Sequence, residues 1–133
     1  MGSVVLDSSV FIRLERGNQD LAVALTPSDH ILLPAAVLAE LSTPIFDSNR
    51  SPALRSSTRS FVDSILAICE FAPADQQVAT IYAELVAQAK TAGKPRSQND
   101  LWIAATCISR DAELITFDRK AQLQDIARLR IRL

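Results

Sequence analysis

The run Val4–Ile12, VVLDSSVFI, constrains this chain more than any other stretch. Three apolar residues, Val4–Leu6, are followed by one acid, Asp7, and two hydroxyls, Ser8 and Ser9, before the sequence turns apolar again. A strand covered on both faces is apolar without alternation, so Val4–Leu6 reads as a buried parallel strand. A carboxylate at the end of such a strand is costly to bury unless something pairs with it. In open α/β sheets, ligands sit just outside the carboxyl ends of the strands. Asp7 stands at that edge and reads as the first ligand of a divalent-metal site whose other acids come from elsewhere in the chain.

Composition narrows the chemistry. With 133 residues, 48% hydrophobic and 22% charged, the chain suits one domain, residues 1–133, with a real core. No apolar run approaches the roughly 18–20 residues needed to span a bilayer. No basic leader precedes a long apolar segment, so a cytoplasmic protein with no membrane attachment is expected. Cys69 and Cys107 sit in apolar settings (LAICEF, AATCIS) and read as buried thiols in a reducing compartment. The net charge of −1 argues against clamping nucleic acid by bulk charge, while leaving room for local basic patches. The three glycines build neither a dinucleotide fingerprint nor a P-loop. The one histidine, His30, opens the apolar run HILLP and reads as structural, which leaves a serine triad without its base. Carboxylate chemistry remains.

Taken in order, Ser8–Arg16 predicts a first helix stopped at Gly17, and Gln19–Leu25 a short second one. Residues 26–29 form a turn, and His30–Leu33 a second buried strand closed by Pro34. Pro34 opens a helix over Ala35–Leu41, and its apolar run carries one acid, Glu40. Phe46–Ser60 is the most polar stretch and reads as a surface loop. Its Arg50, Arg55 and Arg59 could form a rim that meets phosphates. A helix over Phe61–Ile68 and a short strand over Ala67–Phe71 follow.

Asp75 caps a long amphipathic helix that Gly93 ends. Lys90, Lys94 and Arg96 then make a compact basic cluster. Ser97 or Asn99 caps the next helix, with Asp100 in its first turn. An acid there also offsets the helix dipole, so position alone does not assign it a role. Ala112–Thr116 predicts a strand, Phe117–Lys120 a turn with Asp118, and Ala121–Ala127 a short helix. The alternating Arg128–Leu133 predicts a last strand at a sheet edge.

This alternation implies the α/β class, a mostly parallel central sheet in a three-layer α/β/α sandwich. All strand exits then lie on one edge. Asp7 and Asp118 leave strands there, Asp100 begins a helix there, and Glu40 lies in a helix that starts there. Four acids at one place repel each other unless a cation joins them. Mg²⁺ or Mn²⁺ suits an all-oxygen set, and no His/Cys set exists for zinc.

D-S-S at 7–9, Glu40 inside AAVLAEL, N-D-L-W-I-A-A at 99–105 and L-I-T-F-D at 114–118 together resemble the PIN-domain family, in particular the VapC-type toxin ribonucleases. The resemblance covers nearly the whole chain. It implies an acidic quartet of Asp7, Glu40, Asp100 and Asp118 as catalytic and metal-binding residues. Ser9 and Thr116 match its supporting hydroxyls, and Asn99 belongs to the same supporting set. It also implies Mg²⁺ or Mn²⁺, hydrolysis of RNA, a homodimer, and a small antitoxin that covers the groove. Arg50, Arg55, Lys94 and Arg96 are the candidate RNA contacts. The segment after Asp118 lacks the more usual short acid–aromatic ending. A housekeeping RNA-processing nuclease would share the same site. A phosphoaspartyl phosphatase or receiver-like domain would use Asp7 as nucleophile or phosphoacceptor, but Ser9 stands where such a phosphatase needs a second acid.

Overall fold

The computed structural model describes residues 2–17, 29–117 and 123–132. Among them, strands β1 (Ser3–Leu6), β2 (His30–Pro34), β3 (Glu70–Ala72), β4 (Glu113–Ile115) and β5 (Ile131–Arg132) form one sheet. Its order is β3-β2-β1-β4-β5, and every pairing is parallel. Helices α1 (Ser8–Glu15), α2 (Ala35–Ser42), α3 (Pro52–Ile68), α4 (Gln76–Ala92) and α5 (Gln98–Ser109) flank it, giving the expected three-layer α/β/α sandwich. None of the described helices is long and apolar enough to cross a membrane.

The strand order places β1 in the middle. The chain lays β2 and β3 on one side of it, then crosses to lay β4 and β5 on the other. The switch point therefore falls where β1 and β4 end, which is where such sheets bind ligands. The core forms around the same two strands. Val4, Val5, Leu6, Leu32, Leu33 and Leu114 are essentially inaccessible, as are Val10, Phe11, Ala104 and Ala105 of the helices above them. Helix α5 is buried along most of its length, as its nearly all-apolar sequence predicts.

Local signals account for most boundaries. Asp75 caps α4 by accepting from the Val78 backbone N–H at 3.0 Å, and Gly93 closes it in the left-handed region at φ +66°. Ser97, not Asn99, caps α5, accepting from the Asp100 N–H at 3.1 Å.

Three expectations are corrected. Phe46–Ser60 is not a loop throughout: α3 begins at Pro52, with the Ser51 hydroxyl accepting from the Leu54 N–H at 3.2 Å. Ser56, Ser57, Arg59 and Ser60 are on the wet face of a helix whose inner face is Thr58, Val62 and Ile65. That helix runs on through Ala67 and Ile68, so the strand expected at Ala67–Phe71 starts only at Glu70. The short helix expected over Ala121–Ala127 is a single 3-10 turn, Leu123–Asp125, in the described part of that stretch. The helix expected over Gln19–Leu25 lies outside the described residues.

Leu114 is fully buried in β4, between β1 and β5. Leu114→Ala is expected to cost about 2–5 kcal/mol of stability. Urea unfolding followed by circular dichroism measures this, and a loss under about 1 kcal/mol would show that the site collapses around the smaller side chain.

Candidate active site

Asp7 is the first residue after β1 and the N-cap of α1. It is only 8% exposed, so its carboxylate needs compensation. One oxygen, Oδ1, accepts from the Ser9 hydroxyl and from the Val10 N–H at 3.3 Å. The other, Oδ2, accepts from the Thr116 hydroxyl, just beyond β4. Hydrogen bonds to a charged group contribute about 1.5–3 kcal/mol each, so three of them offset much of the cost of burial. The Thr116 contact spans 109 residues of sequence and ties the ends of β1 and β4 together across the switch point. A carboxylate offers about four lone-pair directions. Three are engaged here, which leaves Oδ2 with capacity for one further partner.

Glu40 comes to the same place from α2. Its Oε2 accepts from the Ser8 hydroxyl at 3.1 Å, which links the first turn of α1 to α2. Its carboxyl is held above the usual glutamate range, chiefly by desolvation. The Ser8 hydrogen bond pulls the other way, and the charges of Asp100 and then Asp7 raise it further. Asp100, half-buried in the first turn of α5, is thus close enough to Glu40 for their charges to interact. Three of the four expected acids converge on the switch point. The fourth, Asp118, lies outside the described residues.

Other chemistries find no support here. His30 is at the opposite end of the sheet, in register with Ser3, and pairs with Glu70 at 3.1 Å. The four residues from Ser3 to Asp7 span roughly 13 Å of strand, out of reach of Ser8 and Ser9. Burial pushes the Cys69 thiol up to about 11 and the Cys107 thiol well above its ordinary value, so neither is an activated nucleophile.

Residues 4–129 match the PIN domain family model. The chain belongs to the PIN-domain family. This PIN-domain protein is 36% identical over 114 residues to ribonuclease VapC5 of Mycobacterium tuberculosis, spanning 86% of this chain and 82% of the relative. It superposes on VapBC-5 of the same organism, a member of the VapBC family of toxin–antitoxin systems, with TM-score 0.79 and 31% identity over the full length of both chains. The fold is shared with VapBC-1 from nontypeable Haemophilus influenzae, at TM-score 0.82 and 22% identity over 98% of this chain and 96% of that one. It is shared also with the DNA-bound VapBC2 from Rickettsia felis, at TM-score 0.83 and 22% identity over 97% and 96% of the two chains.

The remaining expected residues of this PIN-domain chain divide. Asn99 is exposed on the first turn of α5, beside Asp100. Lys94 and Arg96 lie on the connection into α5, and both face Asp125, at 2.9 Å and 3.9 Å. Arg50 is half-buried, and Arg55 turns its Nε inward where no hydrogen bond reaches it among the described residues. Arg55 is thus less a phosphate-facing rim than the sequence suggested. Ser8 was missed. Its partner is 32 residues away, so no local pattern marks it, though a second hydroxyl beside Asp7 was a visible hint.

The donor set is all oxygen. Among the described residues no three of His, Cys, Asp and Glu are gathered closely enough to form a finished metal cage. Oxygen donors of this kind suit a hard cation such as Mg²⁺, which keeps part of its water shell. The mutual repulsion felt at Glu40 is what such an ion relieves.

The sign of the Glu40 shift gives a test. Its folded-state pKa lies above the unfolded value, so the folded state takes up the proton more readily. Stability from this group is present at low pH and is lost as pH rises through the folded pKa. Without divalent cations, Glu40→Gln is therefore expected to raise Tm at neutral pH, by an increment that shrinks as pH falls through the folded pKa and vanishes below the unfolded-state value. Calorimetric scans across pH check it, and a Tm lowered at neutral pH would contradict it.

Proposed function

We propose that this protein is a metal-dependent endoribonuclease, the toxin of a toxin–antitoxin pair. The observation that carries the reading is the meeting of Asp7, Glu40 and Asp100 at the switch point, where each carboxylate at Glu40's side opposes its ionisation. Asp7 and Asp100 would hold Mg²⁺ or Mn²⁺, with Glu40 and Asp118 completing the set. When bound, the ion supplies a lowered water pKa and charge stabilisation at the phosphate.

The chain's own residues do the rest. Ser9, the Val10 N–H and Thr116 fix both Asp7 oxygens, so that carboxylate does not swing on binding. This restraint also makes Asp7 a poor nucleophile, which disfavours the phosphoaspartyl alternative. Ser8 orients Glu40, whose raised carboxyl is suited to take a proton from the attacking water at Oε1 or Oε2. Helix α5 brings Asp100 in from a rigid, buried element, which keeps the carboxylates in register with each other.

The partner side of the reading rests on the relatives. VapC5 is named a ribonuclease, and the compared structures are VapBC pairs. A small antitoxin is accordingly the expected partner, and a homodimer the expected assembly. Phe46, Leu54 and Ile68 are more than half exposed and give such partners apolar surface to cover.

Asp7→Asn keeps a cap at the start of α1 but removes the charge. In the folded protein it is expected to lower cleavage of RNA with Mg²⁺ or Mn²⁺ by more than about 100-fold, beyond the effect usual for an outer partner of a metal site. Cleavage at the wild-type rate would overturn the proposal. Growth arrest on expression, relieved by the product of a neighbouring small gene, separates a toxin from a housekeeping nuclease.

A further inference from the structure

A cavity between α4 and α5 is not used by the carboxylate centre. It measures about 420 Å³ and is lined by Tyr82, Val86 and Lys90 of α4, Arg96 of the connection, and Gln98 and Leu101 of α5. That volume lies in the range of small-ligand pockets, roughly 300–1,000 Å³. Tyr82 lies flat on Trp102, with ring centroids 3.9 Å apart and planes 9° from parallel. The cavity wall is therefore backed by an aromatic stack. Its rim is basic: Lys90 and Lys94 are exposed there, and the Arg96 side chain, 8% exposed, lies against the lining. Lys94 and Arg96 both reach the carboxylate of Asp125, at 2.9 Å and 3.9 Å, while Lys90 stays exposed beside them. No acidic side chain lines the cavity among the described residues.

Its position relative to the acids is set by helix geometry. At 3.6 residues per turn, Gln98, Leu101 and Trp102 share one side of the first turn of α5, and Asp100 lies on the other. The cavity and the carboxylates thus flank the same helical turn, about 10 Å apart across the helix. A single nucleic-acid strand covers that distance in a couple of nucleotides.

We propose that this cavity takes one unpaired base of the RNA strand being cleaved, next to the scissile phosphate. The inference rests on the ribonuclease reading above and names where that substrate is gripped. Unpaired bases are recognised by stacking on aromatic side chains, with cations tracking the backbone. Tyr82, Val86 and Leu101 supply the apolar walls, Lys90 and Lys94 the charge for flanking phosphates. The Gln98 amide, both donor and acceptor, is placed to meet a base edge. The lysines at its edge match a polyanion.

Trp102 is the sole tryptophan and a built-in reporter. Binding of a short single-stranded oligoribonucleotide to the full-length Asp7→Asn protein would be followed by Trp102 fluorescence and by anisotropy of the labelled strand. An oligonucleotide with one abasic position, moved along the strand, runs in parallel. The expected results are quenching of Trp102 and roughly ten-fold weaker binding when the abasic position falls at the cavity. Tyr82→Leu and Ala89→Phe, the second filling the cavity, should weaken the intact strand by a similar factor and erase its advantage over the abasic one. Tyr82→Phe should restore it. Circular dichroism confirms that each variant is folded. Equal binding of intact and abasic strands at every position, with Trp102 unmoved, would overturn the proposal while leaving cleavage in place. Ala89→Phe changing oligomeric state but not RNA binding would overturn it in favour of an interface between copies. Failure of the wild-type protein to cleave RNA, and of the Asp7→Asn protein to bind it, would remove this inference and the ribonuclease reading together.

Discussion

The Thr116–Asp7 hydrogen bond is the contact on which the site depends. It joins the ends of two adjacent parallel strands, β1 and β4, at the point where the sheet's winding reverses. A parallel sheet splays at such a point, and the gap fills with whatever the strand exits carry. Here one exit carries an acid and the other a hydroxyl. The same acid caps α1 through the Val10 N–H. One carboxylate therefore closes the sheet edge, starts a helix and keeps an open lone-pair direction.

The arrangement around it trades stability for chemistry. Burial and the neighbouring charges of Asp100 and Asp7 hold Glu40 above its ordinary range, and the Ser8 hydrogen bond counters them. A well-packed apolar group in place of Glu40 would not carry that cost. Retention of ionisable groups against their own repulsion is a feature of functional sites more than of structural ones.

Much of this was legible in the sequence because the signals are local. An apolar triplet ending in Asp7, the Asp75 cap, Gly93 and the apolar α5 needed only short-range rules. The errors came where a polar composition concealed a helix. Ser51–Ser60 looked like a loop because its wet face is rich in serine and arginine, while the inward spacing of Thr58, Val62 and Ile65 was the signal that mattered. Other features were not legible because they are tertiary. Ser8 meets Glu40 across 32 residues, and Arg96 is drawn toward Asp125 rather than left on a basic face. The stacking of Tyr82 on Trp102 has no trace in either residue's neighbours.

The central claim is that the carboxylates at the switch point form a cation site, and direct Mn²⁺ binding tests it most simply. Electron paramagnetic resonance of free Mn²⁺, titrated with the protein at neutral pH, reports occupancy without any substrate. The account predicts saturable binding that weakens on acidification, as the carboxylates protonate, and that is largely lost in Asp100→Asn. Absence of saturable binding by the wild-type protein, or binding indifferent to both pH and Asp100→Asn, would contradict it.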